Sequence, residues 1–137
     1  MNDSEISREA WGLLAGLVYP PRFLDIARDL GLTPATLGAL ARLDEARTMG
    51  GIAELLRCDP SNVTGIADAL EARGLARRRP SQADRRVKEI ELTAKGERMR
   101  QRVMGQLSEP PPWLLGLSQK DQRALRDLLR RAAATTG

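Results

Sequence analysis

Histidine is absent from this 137-residue chain, and cysteine occurs once, at Cys58. Without imidazole the commonest general base and metal ligand is missing, which excludes Ser–His–Asp triads and histidine-based zinc sites. A single cysteine excludes an internal disulfide and fits a reducing compartment. Aromatic residues make up only 3% of the chain, so Leu, Ala, Ile and Val must fill the core, which favours helices. No apolar run approaches the roughly 20 residues of a membrane span, and the opening MNDSEISREA lacks the basic start of a signal peptide. The expectation is a cytoplasmic protein with no membrane partner. Carboxylate pairs remain available for chemistry, but none stands out from the helix surfaces. No catalytic residue, metal ligand or cofactor is therefore expected, and the chain does not read as an enzyme.

What is present is positive charge in one place. The net charge is +4, from 22 Lys and Arg against 18 Asp and Glu. Between Arg73 and Lys88 lie seven bases (Arg73, Arg77, Arg78, Arg79, Arg85, Arg86 and Lys88) and one acid, Asp84, a local +6 that leaves the remainder at −2. A coding bias toward arginine explains 19 Arg against 3 Lys, but not their clustering. Charge of one sign on an otherwise slightly acidic protein points to a polyanion partner.

Read along the chain, the pattern is helical with one β interruption. Ala10, Trp11, Leu14, Leu17 and Val18 recur at helical spacing over residues 7–18, and Pro20-Pro21 ends that helix. A second runs over 22–30, with Gly31 suited to the left-handed position that closes it. Thr33-Pro34 and Asp59-Pro60 are both a capping residue followed by proline at the first helical position. The first opens a helix to about Leu43 and the second a helix to Gly74, with a further one over 49–57 between them. Residues 75–79 and 88–93 read as two strands around the polar turn PSQADRR. Thr93 can cap a long helix over 94–107, which Glu109-Pro-Pro-Pro-Trp113 stops, and Ser118 with Asp121 signals a last helix to about Ala134. One domain of 137 residues accommodates all of this.

The central order is helix, turn, second helix, basic hairpin, new helix: the layout of a winged helix-turn-helix. On the second helix Val63, Ile66, Ala67 and Leu70 form one apolar face. The opposite face holds Ser61, Thr64, Gly65 and Asp68, with Asn62 and Ala69 at its edge. A major groove about 12 Å wide admits one such helix. Ser61, Asn62 and Thr64 are short hydrogen-bonding side chains near its N-terminus, where free amides and the helix dipole also suit phosphate. Arg77, Arg78 and Arg79 are expected on the DNA backbone, any that point away from it being merely solvated, and Arg85, Arg86 and Lys88 complete the expected DNA-binding wing. Cys58, in the turn between the two helices, reads as core packing, with redox sensing as the alternative.

Four blocks carry a family resemblance: LTPATLGALARL, DPSNVTGIADALEARGLARR, ADRRVKEIELTAKG and LSQKDQRALRDLL, in that order over residues 32–129. The chain resembles the MarR-type winged-helix transcriptional regulators. The resemblance implies a mostly α fold with a small β-hairpin wing. Residues 33–93 would form the DNA-binding part, and residues 1–32 and 94–137 flanking helices that intertwine in a homodimer. It implies a repressor of double-stranded DNA sites, released by a small phenolic or otherwise lipophilic effector. Arg86 matches the family's wing arginine that enters the minor groove, and Asp84 the acid that orients it. An effector pocket is expected beside Trp11, Tyr19 and Phe23. The chain departs from the family in having no Arg or Lys between Asp59 and Ala72, and in the Pro20-Pro21 break. The first departure keeps a second reading open: a winged-helix interaction module that has lost specific DNA readout.

Overall fold

Hydroxyl side chains open half of the helices in this computed structural model, which describes residues 1–137. The elements run α1 (Asp3–Val18), α2 (Arg22–Leu30), α3 (Pro34–Arg42), β1 (Arg47–Thr48), α4 (Met49–Leu56), α5 (Pro60–Ala72), β2 (Ala76–Pro80), β3 (Lys88–Leu92), α6 (Ala94–Ser108), α7 (Pro112–Leu115) and α8 (Gln119–Ala134). Thr33, Thr48, Thr93 and Ser118 each precede a helix, and each side-chain oxygen accepts the amide three residues on at 3.0–3.1 Å. One of the amides stranded in the first turn is thereby satisfied in each case.

Several elements differ from the sequence expectation. Helix α1 starts at Asp3, ahead of the expected residue 7, because Asn2 and Glu5 cap it reciprocally. The Asn2 side chain accepts the Glu5 amide at 3.0 Å, and the Glu5 carboxylate accepts the Asn2 amide at 2.8 Å. Apolar spacing is blind to such a polar start. At Asp59 the opposite holds: it occupies the capping position of α5 but makes no side-chain cap bond. Its carbonyl accepts the Asn62 amide at 2.9 Å instead, so Pro60 and the backbone set this helix start. The hairpin gains a third strand, because β1 pairs with β3 through Arg47↔Ile90 and Thr48↔Glu89. Two residues are too few to show alternation. Trp113, read as part of a helix stop, lies in the short helix α7.

The chain divides into two compact units, Val18–Leu107 and Met1–Leu17 with Ser108–Gly137. In the first, α4 and α5 pack on the antiparallel sheet β1-β3-β2, and α3 packs against both helices. Leu37, Leu40, Leu43, Val63, Leu70, Leu75, Ile90 and Val103 are fully buried there. No aromatic side chain enters this centre; Phe23 packs at its edge with Met49, Leu56 and Cys58. In the second unit neither α1 nor α8 buries a single residue. Trp11, Leu13, Leu14 and Leu17 on α1, and Leu128 and Leu129 on α8, stand exposed.

One close approach ties α6 to the sheet. A Cβ added to Gly96 would lie 1.9 Å from the Leu75 carbonyl oxygen and 3.2 Å from the Leu92 Cβ. The obstruction is backbone, which cannot rotate aside. Gly96→Ala should therefore lower unfolding stability by at least about 2 kcal/mol, read from urea denaturation midpoints. Gly65, mid-helix in α5 with open space around it, is the control. Gly65→Ala should raise stability by up to about 1 kcal/mol through helix propensity alone.

Candidate nucleic-acid interface

Helix α5 turns its polar side outward. Val63, Ile66, Ala67 and Leu70 are buried, while Ser61, Asn62, Thr64, Gly65 and Asp68 are exposed. Glycine at position 74, with φ +69°, ends the helix in the left-handed conformation and turns the chain into β2. The wing follows, with Ala76↔Leu92, Arg78↔Ile90 and Pro80↔Lys88 in register.

Because strand side chains alternate, Arg77 and Arg79 share one face of β2 and Arg78 takes the other. Both outer arginines meet Glu91 of β3, which accepts Arg77 Nε through Oε1 and Arg79 Nη1 through Oε2, each at 2.6 Å. Arg78 points toward α5. Its Nη2 donates to Asp68 Oδ1 at 2.7 Å and to the Thr64 carbonyl at 3.3 Å, and its Nη1 donates to Glu71 Oε1 at 2.6 Å. The hydrogen bond to Asp68, with that to Glu71, holds the Arg78 guanidinium above its ordinary pKa. Three arginines expected on phosphate are thus engaged by three carboxylates, and β2 with its partners is electrically neutral. Arg73 is likewise occupied, donating to the Gly31 carbonyl at 3.2 Å at the end of α2.

The free charge lies at the tip. Ser81 and Val87 close it, with the Ser81 amide donating to the Val87 carbonyl at 2.8 Å and the Val87 amide to the Asp84 carbonyl at 3.0 Å. Asp84 Oδ1 accepts the backbone amide of Arg86 at 3.0 Å, whereas the side-chain ion pair between them is a loose 3.9 Å. Asp84 therefore shapes the turn that presents Arg86 more than it grips the guanidinium. The Arg86 side chain is 95% exposed. Arg85 and Lys88 are exposed and form no ion pair.

The other flank of α5 is open. Asn62, Gly65, Ile66 and Ala69 line a hollow of about 1010 Å³ with Phe23, Arg42 and Cys58. Of the three residues expected to form an effector pocket, only Phe23 lines it; Trp11 and Tyr19 are 69% and 73% exposed. Cys58 is a half-buried free thiol against the core. No three His, Cys, Asp or Glu side chains gather as metal ligands would, and no helix is long and apolar enough to cross a membrane.

The paired carboxylates were the part that sequence reasoning missed. Glu91 follows from strand register, since it lies directly across from Arg77. Asp68 and Glu71 are one helical step apart on one flank of α5, a weaker signal that only the fold connects to Arg78.

Residues 30–87 match the model of the MarR family. The chain is 38% identical over 79 residues to the HTH-type transcriptional repressor MdtR of Bacillus subtilis. That match covers 56% of this chain and spans about half, 51%, of the relative's own length. Among solved structures it is similar to the YusO protein of Bacillus subtilis, with 27% identity and a TM-score of 0.68 over 96% of this chain and 94% of that one. A mutant of S. aureus MepR bound to an oligodeoxyribonucleotide shares the fold, with 17% identity and a TM-score of 0.62 over 100% and 99% of the two chains.

The neutrality of β2 is testable without any specific ligand. Glu91→Gln should unmask Arg77 and Arg79 and delay elution from a heparin column to higher salt. Glu89→Gln removes the same charge but frees no arginine, and should shift elution less.

Proposed function

From the match of residues 30–87 to the MarR family model, we propose that the chain is a MarR-type regulator: a homodimeric, sequence-specific DNA-binding transcriptional regulator. The observation that carries this reading is the pairing of an exposed polar face on α5 with three exposed cations on the adjoining wing: Arg85 and Lys88, which form no ion pair, and Arg86, held only loosely by Asp84 at 3.9 Å. Helix α5 enters the major groove with Ser61, Asn62 and Thr64 at the base edges, and Arg86 reaches the minor groove beside it. The name of the Bacillus subtilis relative, a transcriptional repressor, supports repression as the sign. The oligodeoxyribonucleotide on the S. aureus protein of the same fold supports DNA as the target.

The exposed apolar faces of α1 and α8 support dimerisation. Leu14, Leu17, Leu128 and Leu129 with Trp11 are more apolar surface than a monomer of this size ordinarily leaves to water. Release from DNA by a small lipophilic molecule belongs to the same proposal. Phe23 and the hollow beside α5 support it, and Trp11 and Tyr19 stand solvent-accessible on the same chain. A second reading, an interaction module without DNA readout, is favoured by the lack of any Lys or Arg along the exposed side of α5.

Selection of duplexes from a randomised library separates the two readings, since an interaction module enriches nothing. On the selected duplex Arg86→Ala should cost about 1–3 kcal/mol of affinity, more than any single alanine among Ser61, Asn62 and Thr64. Asp84→Ala should weaken binding less, through loss of the Arg86 amide bond. An increase in affinity for Asp84→Ala at every salt concentration would show that electrostatics outweighs turn geometry.

For assembly, sedimentation at micromolar concentration should give a dimer. The protected DNA should contain two inverted half-sites centred about 10 bp apart. A monomer, or a footprint without inverted symmetry, contradicts it.

A further inference from the structure

The three contacts of Arg78 run up one flank of the recognition helix. Thr64, Asp68 and Glu71 are spaced four and three residues apart, so a single guanidinium spans two turns of α5. It is anchored at its other end by the strand, where Arg78 sits opposite the fully buried Ile90. Its side chain is 29% exposed, against 67% for Arg77 on the outer face. A planar guanidinium with five donors is suited to such forked bridging, and bonds to carboxylates are about twice as strong as neutral ones.

We propose that Arg78 is a positioning residue that locks the wing to the recognition helix, and that it does so in place of any contact with phosphate. The inference rests on the DNA-binding reading above. Helix α5 and the Arg86 tip must enter adjacent grooves together, so their relative angle decides whether both engage. Nothing else polar crosses from β2 to the exposed side of α5: Arg77 and Arg79 are turned to Glu91. The apolar packing of α5 on β2, in which Leu70 and Ala76 are buried, resists separation but leaves pivoting about the helix axis cheap, since it is not directional. The Arg78 fork supplies the direction. Asp68 and Glu71, which read as unfavourable charges on a DNA-facing helix, become the sockets of this lock.

The consequences have a sign opposite to simple electrostatics. Removing an acid next to DNA ordinarily strengthens binding; here Asp68→Asn and Glu71→Gln should each weaken it.

The test uses the full-length protein, a duplex that the wild type selects from a randomised library, and sheared genomic DNA as non-specific competitor. Affinity is measured across a salt series for Arg78→Gln, Asp68→Asn, Glu71→Gln and the contact control Arg86→Ala. Arg78→Gln should bind the selected duplex about tenfold or more weakly, keep its affinity for genomic DNA, and retain the wild-type slope of log affinity against log salt. Arg86→Ala should lose about one unit of that slope. The two acid variants should lose specific affinity in the same direction as Arg78→Gln. Should Arg78→Gln not fold, as judged by circular dichroism, the acid variants decide alone. A slope reduced by about one unit in Arg78→Gln makes Arg78 a phosphate contact and overturns the proposal. So does tighter binding by both acid variants. A wild type that selects no duplex overturns the DNA-binding reading, and this inference with it.

Discussion

Four elements meet at the peptide of Leu75. Its side chain is fully buried, its amide donates to the Leu70 carbonyl at 2.9 Å, and its carbonyl accepts the Thr93 amide at 3.0 Å. The first bond closes α5, in concert with the left-handed Gly74. The second joins the start of β2 to the end of β3. The Thr93 hydroxyl donates to the Gly74 carbonyl at 2.6 Å while accepting the Gly96 amide at 3.1 Å, so the cap of α6 is also the clasp of the hairpin. Gly96 lets α6 lie directly over the Leu75 carbonyl. The orientation of the recognition helix, the root of the wing and the path of α6 therefore depend on one buried turn, where a single methyl group would force them apart.

From that turn outward, the structure separates charge that holds the module together from charge left for a partner. The arginines nearest the root are consumed: Arg73 on the Gly31 carbonyl, Arg77 and Arg79 on Glu91, Arg78 on Asp68 and Glu71. At the tip, Arg85 and Lys88 form no ion pair, and Arg86 keeps only a loose one, 3.9 Å, with Asp84. Exposed ion pairs singly are worth little, roughly 0–1 kcal/mol. Their importance here is geometric, because forked arginines on fixed carboxylates define angles that apolar contacts leave open. The polyanion signal in the chain is thus smaller and more focused than its count of bases implies.

Helix α5 has two unlike flanks. One is closed by Arg78, while the other opens through Gly65 and Ala69 into the hollow beside Phe23 and Cys58. The small residues at 65 and 69 leave this side open, since larger side chains there would project into the hollow.

The order of elements was legible in the sequence because its causes are local. Thr33-Pro34, Asp59-Pro60, Gly31 and Gly74 mark helix ends through backbone restrictions within a few residues. The apolar repeat at Val63, Ile66, Ala67 and Leu70 identifies the buried face of α5 by period alone. Locality also explains what was misjudged: Asn2 begins α1 through polar bonds that apolar spacing does not register, and β1 is too short to alternate. The exposed polar face of α5 and the free tip at Arg86 were likewise readable from period and turn composition. Which arginines are free was not. Arg77, Arg78 and Arg79 are identical neighbours in the chain, and only the strand's alternation and the packing of α5 against β2 assign them to different acids. Asp68 lies ten residues from Arg78 and Glu91 fourteen from Arg77, and charges so placed interact only once folding has brought them within 3 Å. Sequence determines the ends and faces of the elements because those follow from short-range sterics and periodicity. Tertiary structure alone decides the pairing of charge, since that depends on distances the unfolded chain does not have.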